Sequence, residues 1–126
     1  MIVGIGIDIV EISRIEQYLT RFGQRGKDRL FLKREQTYCD SKINPNLHYA
    51  ARFAAKEAFS KARRTGIGGD LSWLDVEVGK HENGAPYITL SEKIMKDNPD
   101  LSCHLSLSHS DQYAVAVVTL ERNQAT

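Results

Sequence analysis

The sequence has few cysteines and no long apolar run. Only two of its 126 residues are cysteine, Cys39 and Cys103, and they form no C-x-x-C motif. This usage excludes a disulfide-rich framework, and we expect two free, buried thiols in a reducing cytosol. No apolar run reaches the roughly 20 residues of a membrane-spanning helix, and no basic stretch precedes an apolar segment as in a signal peptide. We therefore expect a soluble cytoplasmic protein with no membrane partner.

An excess of charge of one sign is also lacking. Lysine and arginine number 17, aspartate and glutamate 16, and the formal net charge is +1. Bulk charge therefore predicts no nucleic-acid partner, and what matters is where the charges lie. Hydrophobic residues make up 41% and charged residues 26%, as in ordinary globular proteins. The length fits one domain, residues 1–126, with a modest core to which oligomerisation could add stability.

The first residues alternate in the manner of a β-strand. From Ile2 to Val10 the side chains divide between two faces, because a strand has a period of two residues. One face carries Val3, Ile5, Ile7 and Ile9, and the other carries Gly4, Gly6, Asp8 and Val10. The two glycines either clear space beside Asp8 or allow another element to pack closely on the strand.

Helical signals follow. Ser13 and Glu16 form an S-x-x-E capping box, which predicts a helix beginning at Ser13. Its buried stripe, at helical spacing, consists of Ile15, Tyr18, Leu19 and Phe22. A second short helix is expected between residues 29 and 41. A turn at Asn44-Pro45 starts the longest helix, which is rich in alanine and runs to about Arg64. It is expected to end in a flexible loop that contains Gly66, Gly68 and Gly69.

The second half of the sequence is typical of short strands joined by turns. Leu71 to Lys80 alternates, Asn83-Gly84 favours a type I′ hairpin turn, and Ala85 to Leu90 forms the return strand. A short helix and a last hairpin follow, over Ser91–Lys96, Cys103–Ser108 and Tyr113–Leu120. We therefore predict an α+β fold in which a mostly antiparallel sheet packs on one long central helix.

Two carboxylates stand out on these rigid elements. Asp8 interrupts an apolar strand, and burying its charge costs several kcal/mol unless a cation or hydrogen-bond donors satisfy it. A metal ion, a strand-end cap and a buried ion pair are all open interpretations. Glu57 lies four residues before Lys61, so a solvated surface salt bridge is the simple interpretation. Against it, Ala50 and Ala54 lie on roughly the same side of the helix, which indicates that Glu57 is partly covered.

Polar clusters accompany the carboxylates. Four cations and a hydroxyl fall within three turns of the central helix, and they suit either solvent or a phosphate-rich ligand: Arg52, Lys56, Ser60, Lys61 and Arg63. His104, Ser106 and Ser108 share one face of a later strand, where they are either structural or in contact with phosphate or a proton. The first helix carries a basic patch that is either solvated or a docking surface for an acidic partner: Arg14, Arg21, Arg25, Lys27 and Arg29.

Together these segments resemble a known family. Gly6-Ile7-Asp8 fits a G-[IV]-D signature, and residues 53–61, FAAKEAFSK, fit an [FW]-x-x-K-E-[AS]-x-x-K signature. In both signatures, their spacing and the total length, the chain is similar to the phosphopantetheinyl transferases of the short bacterial holo-[acyl-carrier-protein] synthase type. The similarity extends to Asn83–Tyr87 and His104–His109. Ala85 departs from it, because many relatives have a lysine there, which removes one possible ligand cation.

The resemblance implies the phosphopantetheinyl transferase fold and a Mg²⁺-dependent enzyme. Such an enzyme transfers 4′-phosphopantetheine from coenzyme A to a serine of apo acyl carrier protein, releases adenosine 3′,5′-bisphosphate and supports fatty-acid biosynthesis. Asp8 and Glu57 would hold the Mg²⁺, and Lys61 would contact the pyrophosphate. The other implied coenzyme A contacts are Arg52, Ser60, His104 and Ser106. Glu57 or a metal-bound water would accept the serine proton, with His104 as the next candidate, so the catalytic set is Glu57, Lys61 and His104.

The resemblance also implies protein partners. Because carrier proteins are acidic, Arg14, Arg21 and Arg25 become the docking surface for acyl carrier protein. Short members of the family are homotrimers with active sites between subunits, and the same assembly is implied for this chain. Two other functions stay open. One is a non-catalytic module that binds coenzyme A or a nucleotide, and the other is transfer to peptidyl carriers of secondary metabolism, whose enzymes are typically longer.

Overall fold

The computed structural model of the protein describes residues 1–64 and 67–123. One strand and three helices come first, followed by two hairpins separated by a short helix. In chain order the elements are β1 (Ile2–Glu11), α1 (Ile12–Leu30), α2 (Lys33–Asp40), α3 (Pro45–Arg63), β2 (Val76–Lys80), β3 (Pro86–Leu90), α4 (Glu92–Asp97), β4 (Leu101–His109) and β5 (Tyr113–Arg122). Gly66, predicted to lie in the loop after the long helix, falls outside the described residues.

The strands form two antiparallel sheets with α3 packed on the larger one. The three-stranded sheet has the order β1-β5-β4, and β2 and β3 form a separate pair. The buried side of the three-stranded sheet and α3 meet in a core of small residues that includes Ala54, Ala58, Ala62, Ala116 and Val118. The α+β prediction with one long central helix is therefore confirmed, although the strands divide into two sheets.

Two glycines of β1 bring α3 unusually close. A Cβ atom at Gly4 would overlap the carbonyl oxygen of Ala62, and one at Gly6 would overlap that of Ala58. Close packing is thus the role of these glycines, and it is also what carries the polar residues of α3 to the strand that holds Asp8. The space beside Asp8 and the close packing of another element, which were alternative interpretations of the two glycines, are therefore the same contact between β1 and α3.

The other face of the three-stranded sheet is exposed, and it is apolar along β1 and the adjoining part of β5. Ile5, Ile7 and Ile9 project from β1 with 67%, 60% and 62% of their surface accessible. Val115 and Val117 of β5 lie beside them on the same face, in register with Ile9 and Ile7. The faces are those that the alternation predicts, but the apolar residues of β1 mostly face outward, and the glycine-containing face is the buried one.

The first helix differs from the prediction in two ways. It begins at Ile12, and Ser13 donates its hydroxyl hydrogen to the Glu11 carboxylate at 2.6 Å instead of forming the capping box with Glu16. Phe22 was predicted to be buried, but it is 48% exposed, because its ring packs on Tyr18 of the same helix and not in the core. The helix then kinks at Gly23, whose φ of 57° lies in the left-handed region.

The β2–β3 hairpin forms with a different start and a different turn. The residues Trp73–Asp75 form a 3-10 turn, capped by Ser72, so the strand begins at Val76 and not at Leu71. A type I′ turn needs positive φ at both central residues, but in this loop only Gly84 has it, at 88°. The Asn83 side chain accepts the Ala85 N–H instead. The predicted type I′ turn is therefore wrong.

Both cysteines are free, as expected, but only one of them is fully buried. Cys39 is buried, Cys103 is half-buried, and both are free thiols. Burial raises the pKa of Cys39 to about 12 and that of Cys103 to about 11, so both are poor nucleophiles at neutral pH. Across residues 1–64 and 67–123, no helix combines the length and apolar character needed to cross a bilayer.

Candidate active site

Asp8 and Lys61 meet where α3 crosses β1. Lys61 donates hydrogen bonds to the Asp8 Oδ1 atom at 2.8 Å and to the Ile7 carbonyl oxygen at 3.2 Å. The Asp8 side chain is 14% exposed and that of Lys61 is 53% exposed. The carboxylate is therefore held on a mostly buried strand face, while the ammonium reaches it from a solvent-exposed position.

Glu57 brings a second carboxylate to the same place. It lies one turn before Lys61 on α3 and is half-buried. Burial raises the pKa of Glu57, the negative charge of Asp8 raises it further, and Lys61 lowers it. The interpretation of a Glu57–Lys61 surface bridge is wrong, because the lysine pairs with Asp8. Glu57 is partly covered, as the neighbouring alanines indicated, and its carboxylate is repelled by that of Asp8.

The electrostatics of this group suit a divalent cation. Asp8 and Glu57 repel each other, while Lys61 forms its ion pair with Asp8. A doubly charged ion between the two carboxylates would relieve this repulsion. In the described part of the chain, no group of three or more His, Cys, Asp or Glu side chains converges as a metal cage. A metal ion at Asp8 and Glu57 would therefore take its other ligands from water or from a bound substrate.

Two of the predicted cations of α3 are used elsewhere. The Lys56 side chain is fully buried and its ammonium lies 2.7 Å from the Glu35 carboxylate. Arg63 pairs with Asp70 at 3.0 Å. The interpretation of four helix cations as one phosphate-binding cluster is thus wrong for these two residues, because the charge of each is already paired with a carboxylate. Both lie on the side of α3 roughly opposite to Lys61.

Arg52 and Ser60 are buried in this chain. Each has 1% of its surface exposed. The Ser60 hydroxyl donates to the Glu57 carbonyl oxygen at 2.7 Å, and the Arg52 guanidinium lies over the Tyr38 ring, 4.2 Å from its centroid. The Arg52 Nε atom is buried without a hydrogen-bond partner among the described residues. The coenzyme A contacts predicted for both residues stay predictions, and neither side chain opens onto the Asp8–Glu57 pair.

His104 lies on the opposite face of the sheet from Asp8. In the antiparallel register, His104 is level with Thr119 and Ile5, whereas Asp8 is level with Ala116 and Leu107. Ile5 and Asp8 are three residues apart in β1, so their side chains lie on opposite faces of the sheet. His104 and Ser106 therefore lie on the exposed face that carries the isoleucines. There His104 contacts the Glu121 carboxylate through Nε2 at 3.0 Å. A single chain therefore does not bring His104 to the carboxylate pair.

The arginines of α1 border two pockets. Arg14, Arg21 and Arg25 are all exposed. Arg21 and Arg25 line a depression with Tyr18, Phe22 and Arg29. Arg14 and Arg29 border a second, apolar pocket of about 260 Å³, whose walls are Val10, Ile15, Tyr18, Leu30, Phe53 and Trp73. We call this second cavity the α1–α3 pocket.

The sequence from residue 4 to residue 118 matches the family model described as the 4′-phosphopantetheinyl transferase superfamily. The chain belongs to this superfamily. The holo-[acyl-carrier-protein] synthase of Koribacter versatilis is 48% identical over 124 residues, which are 96% of this chain and 99% of that relative. The enzyme of the same name from Geobacter sulfurreducens is 46% identical over 125 residues, covering 97% and 99% of the two chains. The predicted family is confirmed.

Solved structures of phosphopantetheinyl transferases have the same fold. The Helicobacter pylori holo-[acyl-carrier-protein] synthase, solved in complex with coenzyme A, matches with a TM-score of 0.85 and 41% identity, covering 93% of this chain and 99% of the other. The Neisseria meningitidis enzyme of the same name matches with a TM-score of 0.89 and 33% identity, covering 97% and 100%. The predicted phosphopantetheinyl transferase fold is confirmed as well.

Two residues with clear structural roles near the candidate site are not predicted from the sequence of this transferase chain. Trp73 forms a wall of the α1–α3 pocket, and Glu35 is buried against Lys56. The signal for Trp73 was available, since it is the single tryptophan of the chain and such large side chains often anchor binding surfaces. Glu35 offered no such signal, because it lies among charged residues in a segment typical of a solvated helix.

Proposed function

We propose that the protein transfers 4′-phosphopantetheine from coenzyme A to a serine of apo acyl carrier protein and releases adenosine 3′,5′-bisphosphate. The observation that carries the proposal is the meeting of Asp8, Glu57 and Lys61 in a half-buried group, on a chain 48% identical to a holo-[acyl-carrier-protein] synthase. A related structure from Helicobacter pylori was solved with coenzyme A. We place the activity in the cytoplasm, in fatty-acid biosynthesis.

Asp8 and Glu57 would hold the Mg²⁺ ion of this reaction. The donor set fits, because Mg²⁺ prefers oxygen ligands and is commonly bound by one or two carboxylates together with water and substrate phosphates. When bound, the ion supplies positive charge to the pyrophosphate of coenzyme A. The repulsion that raises the pKa of Glu57 supports this assignment, since a cation between the two carboxylates would remove it.

Lys61 would bind the substrate pyrophosphate. Its side chain is 53% exposed and is held to Asp8 by one ion pair, so it can turn toward a phosphate at small cost, since partly exposed ion pairs contribute little stability. The ammonium would then stabilise the negative charge on the phosphate oxygens during transfer. In that step a bond forms between the serine oxygen and the β-phosphorus, and the bond to the leaving adenosine bisphosphate breaks.

Glu57 would accept the proton of the carrier serine. A carboxylate with a raised pKa is a better base than an ordinary one. Burial is the largest cause of the raised pKa of Glu57, and it does not depend on the charge of Asp8. His104 is the next candidate on chemical grounds, but in the same chain it lies on the other face of the sheet. In the proposed reaction the serine Oγ atom would give its proton to the Glu57 carboxylate, and only a His104 from a neighbouring copy could take its place.

The exposed isoleucine face supports a homotrimer with active sites between subunits. Ile5, Ile7 and Ile9 are each at least 60% exposed, and such a contiguous apolar face is typical of a subunit interface. His104 and Ser106 lie on this face, so they can serve only the site of a neighbouring copy. We propose that one subunit supplies Asp8 and Glu57, while its neighbour supplies His104 and Ser106 to coenzyme A.

The basic surface of α1 would dock the carrier protein. Arg14, Arg21 and Arg25 are exposed beside Tyr18 and the half-exposed Phe22. Arginines around aromatic rings match an acidic partner that also presents apolar side chains, since charge guides the encounter and the rings supply buried area. The α1–α3 pocket next to this surface contains Val10, two residues beyond Asp8, so a carrier docked there lies near the carboxylates.

A transfer assay tests the proposal directly. The protein is incubated with apo acyl carrier protein, coenzyme A and Mg²⁺, and the carrier is expected to gain the mass of one phosphopantetheinyl group. Asp8→Asn should abolish the gain while the protein stays folded, whereas the exposed Asp97→Asn is the matched control. Nucleotide affinity that is indifferent to Mg²⁺, with no transfer to any acidic carrier, would favour the non-catalytic binding module.

A further inference from the structure

Lys56 is adjacent to Glu57 in α3, yet its side chain enters the core. The Lys56 ammonium donates to the Glu35 Oε1 atom at 2.7 Å, to the Leu30 carbonyl oxygen at 2.7 Å and to the Trp73 carbonyl oxygen at 3.1 Å. An ammonium group has three N–H donors, so all of them are used. Neither Lys56 nor Glu35 has any exposed side-chain surface.

The Glu35 carboxylate extends this contact to the surrounding elements. It accepts the Leu32 N–H at 2.9 Å at the start of α2, and the Val78 N–H at 2.9 Å in β2. The lysine and the glutamate therefore tie α3 to the end of α1, to α2, to the turn at Trp73 and to β2. We call this set of bonds the Lys56–Glu35 network.

Stability alone does not account for the network. Removing two charges from water costs several kcal/mol per ion, and well-packed apolar side chains of similar volume are often as stable as a buried ion pair or more so. Hydrogen bonds are directional, whereas apolar packing is not. Bonds from this pair to backbone atoms of four other segments therefore fix the positions of those segments relative to α3.

The network also borders the α1–α3 pocket. Leu30 and Trp73, whose carbonyl oxygens bind the Lys56 ammonium, are both wall residues of that cavity. The Trp73 ring stacks on Phe53, with 5.0 Å between the centroids, and Phe53 lies one turn before Glu57. The opposite wall contains Val10, on the same face of β1 as Asp8. Each carboxylate is thus linked through its own element to one wall of the pocket.

We propose that Lys56 is a positioning residue for the transfer reaction, which acts by fixing α3 so that Glu57 keeps its place relative to Asp8 and to the wall of the α1–α3 pocket. The close approach of Gly4 and Gly6 holds one side of α3, and the Lys56–Glu35 network holds another. The inference rests on the proposed function, since Glu57 matters here as a ligand and a base.

The double substitution Lys56→Met with Glu35→Gln tests the inference, because it removes both charges and leaves no unpaired ion. Folding is checked by circular dichroism, Mn²⁺ affinity with coenzyme A present by electron paramagnetic resonance, and kcat and KM by transfer assay. We expect Mn²⁺ affinity and kcat each to fall about tenfold, the scale seen when groups that orient metal ligands are removed. The matched control is Lys33→Gln with Asp28→Asn, an exposed pair between α2 and α1, which should leave both values unchanged.

Three outcomes separate the possible explanations. A folded double variant with wild-type Mn²⁺ affinity and wild-type kcat would overturn the inference, because a merely structural role lowers only the melting temperature. If the double variant does not fold, Glu35→Asp takes its place, because it keeps both charges and only shortens the side chain that bonds to Lys56. It should lower both values in the same direction, whereas unchanged values would again overturn the inference. A wild-type protein that neither binds Mn²⁺ nor transfers would contradict the proposed function itself, and the inference with it.

Discussion

Gly6 of β1 lies directly against the carbonyl group of Ala58 in α3, with no room for a side chain between them. This contact sets the distance between the strand that carries Asp8 and the helix that carries Glu57 and Lys61. The geometry of the proposed active site therefore depends on glycine at position 6, which has no Cβ atom, as well as on the charged groups.

Gly6→Ala should push α3 away from β1. The added methyl group meets backbone atoms, which cannot rotate aside as a side chain can. We expect a loss of about 1–3 kcal/mol in the free energy of unfolding, the usual cost of overpacking a core, and a loss of transfer activity under conditions where the variant is folded. Urea denaturation and the transfer assay measure these, with the exposed Thr37→Ala as control. Wild-type stability in the Gly6 variant would contradict the close contact.

Glu57→Gln should raise thermal stability at neutral pH while abolishing transfer. The folded-state pKa of Glu57 lies above the ordinary value of 4.5, so the folded state favours the protonated form. The ionised carboxylate then opposes folding at pH values above the folded-state pKa, and this penalty disappears as pH falls below the ordinary value. Melting curves between pH 4 and pH 8, without divalent metal, should show the advantage of the variant shrinking toward low pH. A variant less stable than wild type at pH 7 would contradict the destabilising effect of the ionised Glu57 carboxylate, which arises first from burial and then from the charge of Asp8.

Lys56→Met alone should destabilise the protein strongly. It leaves the Glu35 carboxylate buried without its cation, and breaking a buried pair by removing one partner costs about 3–5 kcal/mol. Lys33→Met is the matched comparison, because Lys33 and its partner Asp28 are 80% and 50% exposed and exposed pairs contribute at most about 1 kcal/mol. Urea unfolding of both variants measures the difference, and equal costs would be inconsistent with the burial of the Lys56–Glu35 network.

Mixed assemblies should restore activity to two inactive variants. Asp8→Asn damages the carboxylate pair, and His104→Ala damages the opposite face of the sheet. If the active site lies between subunits, some sites in a mixed trimer combine an intact Asp8 with an intact neighbouring His104. Random mixing in equal amounts gives about a quarter of the sites that composition. Co-expressed, differently tagged variants are purified as mixed assemblies and assayed, and complete inactivity of the mixture would argue against a shared site.

Charge reversal on α1 should affect the carrier protein and not coenzyme A. Arg14→Glu with Arg21→Glu replaces two exposed cations of the docking surface with anions, which repel an acidic partner and slow its association. We expect a KM for carrier protein raised about tenfold or more, with a steeper dependence on salt for the wild type than for the variant. The KM for coenzyme A serves as the internal control. Equal changes for both substrates would count against a carrier-specific surface.

Sequence patterns predicted the structure correctly where they depend on a single helix or strand. The alternation of Ile2–Val10 predicted a strand and its two faces, and the alanine-rich segment after Asn44 predicted the long helix. Predictions failed where a neighbour competed. Ser13 bonds to Glu11 and not into the capping box, and Asn83 bonds to Ala85 in place of a type I′ turn. In both cases a short polar side chain forms a hydrogen bond with a residue two positions away, and this bond is not part of the predicted motif.

The sequence by itself determined most of the elements and which residues of each element share a face, and it pointed to the two carboxylates, because periodicity and motif spacing act within a few residues. Only the tertiary structure decided the partners of those groups. Lys61 is four residues from Glu57 but pairs with Asp8, 53 residues away in the chain. Lys56 is buried with Glu35, and His104 faces away from Asp8. Helix rotation and sheet register set these relations, and both depend on contacts between distant segments that no local pattern records.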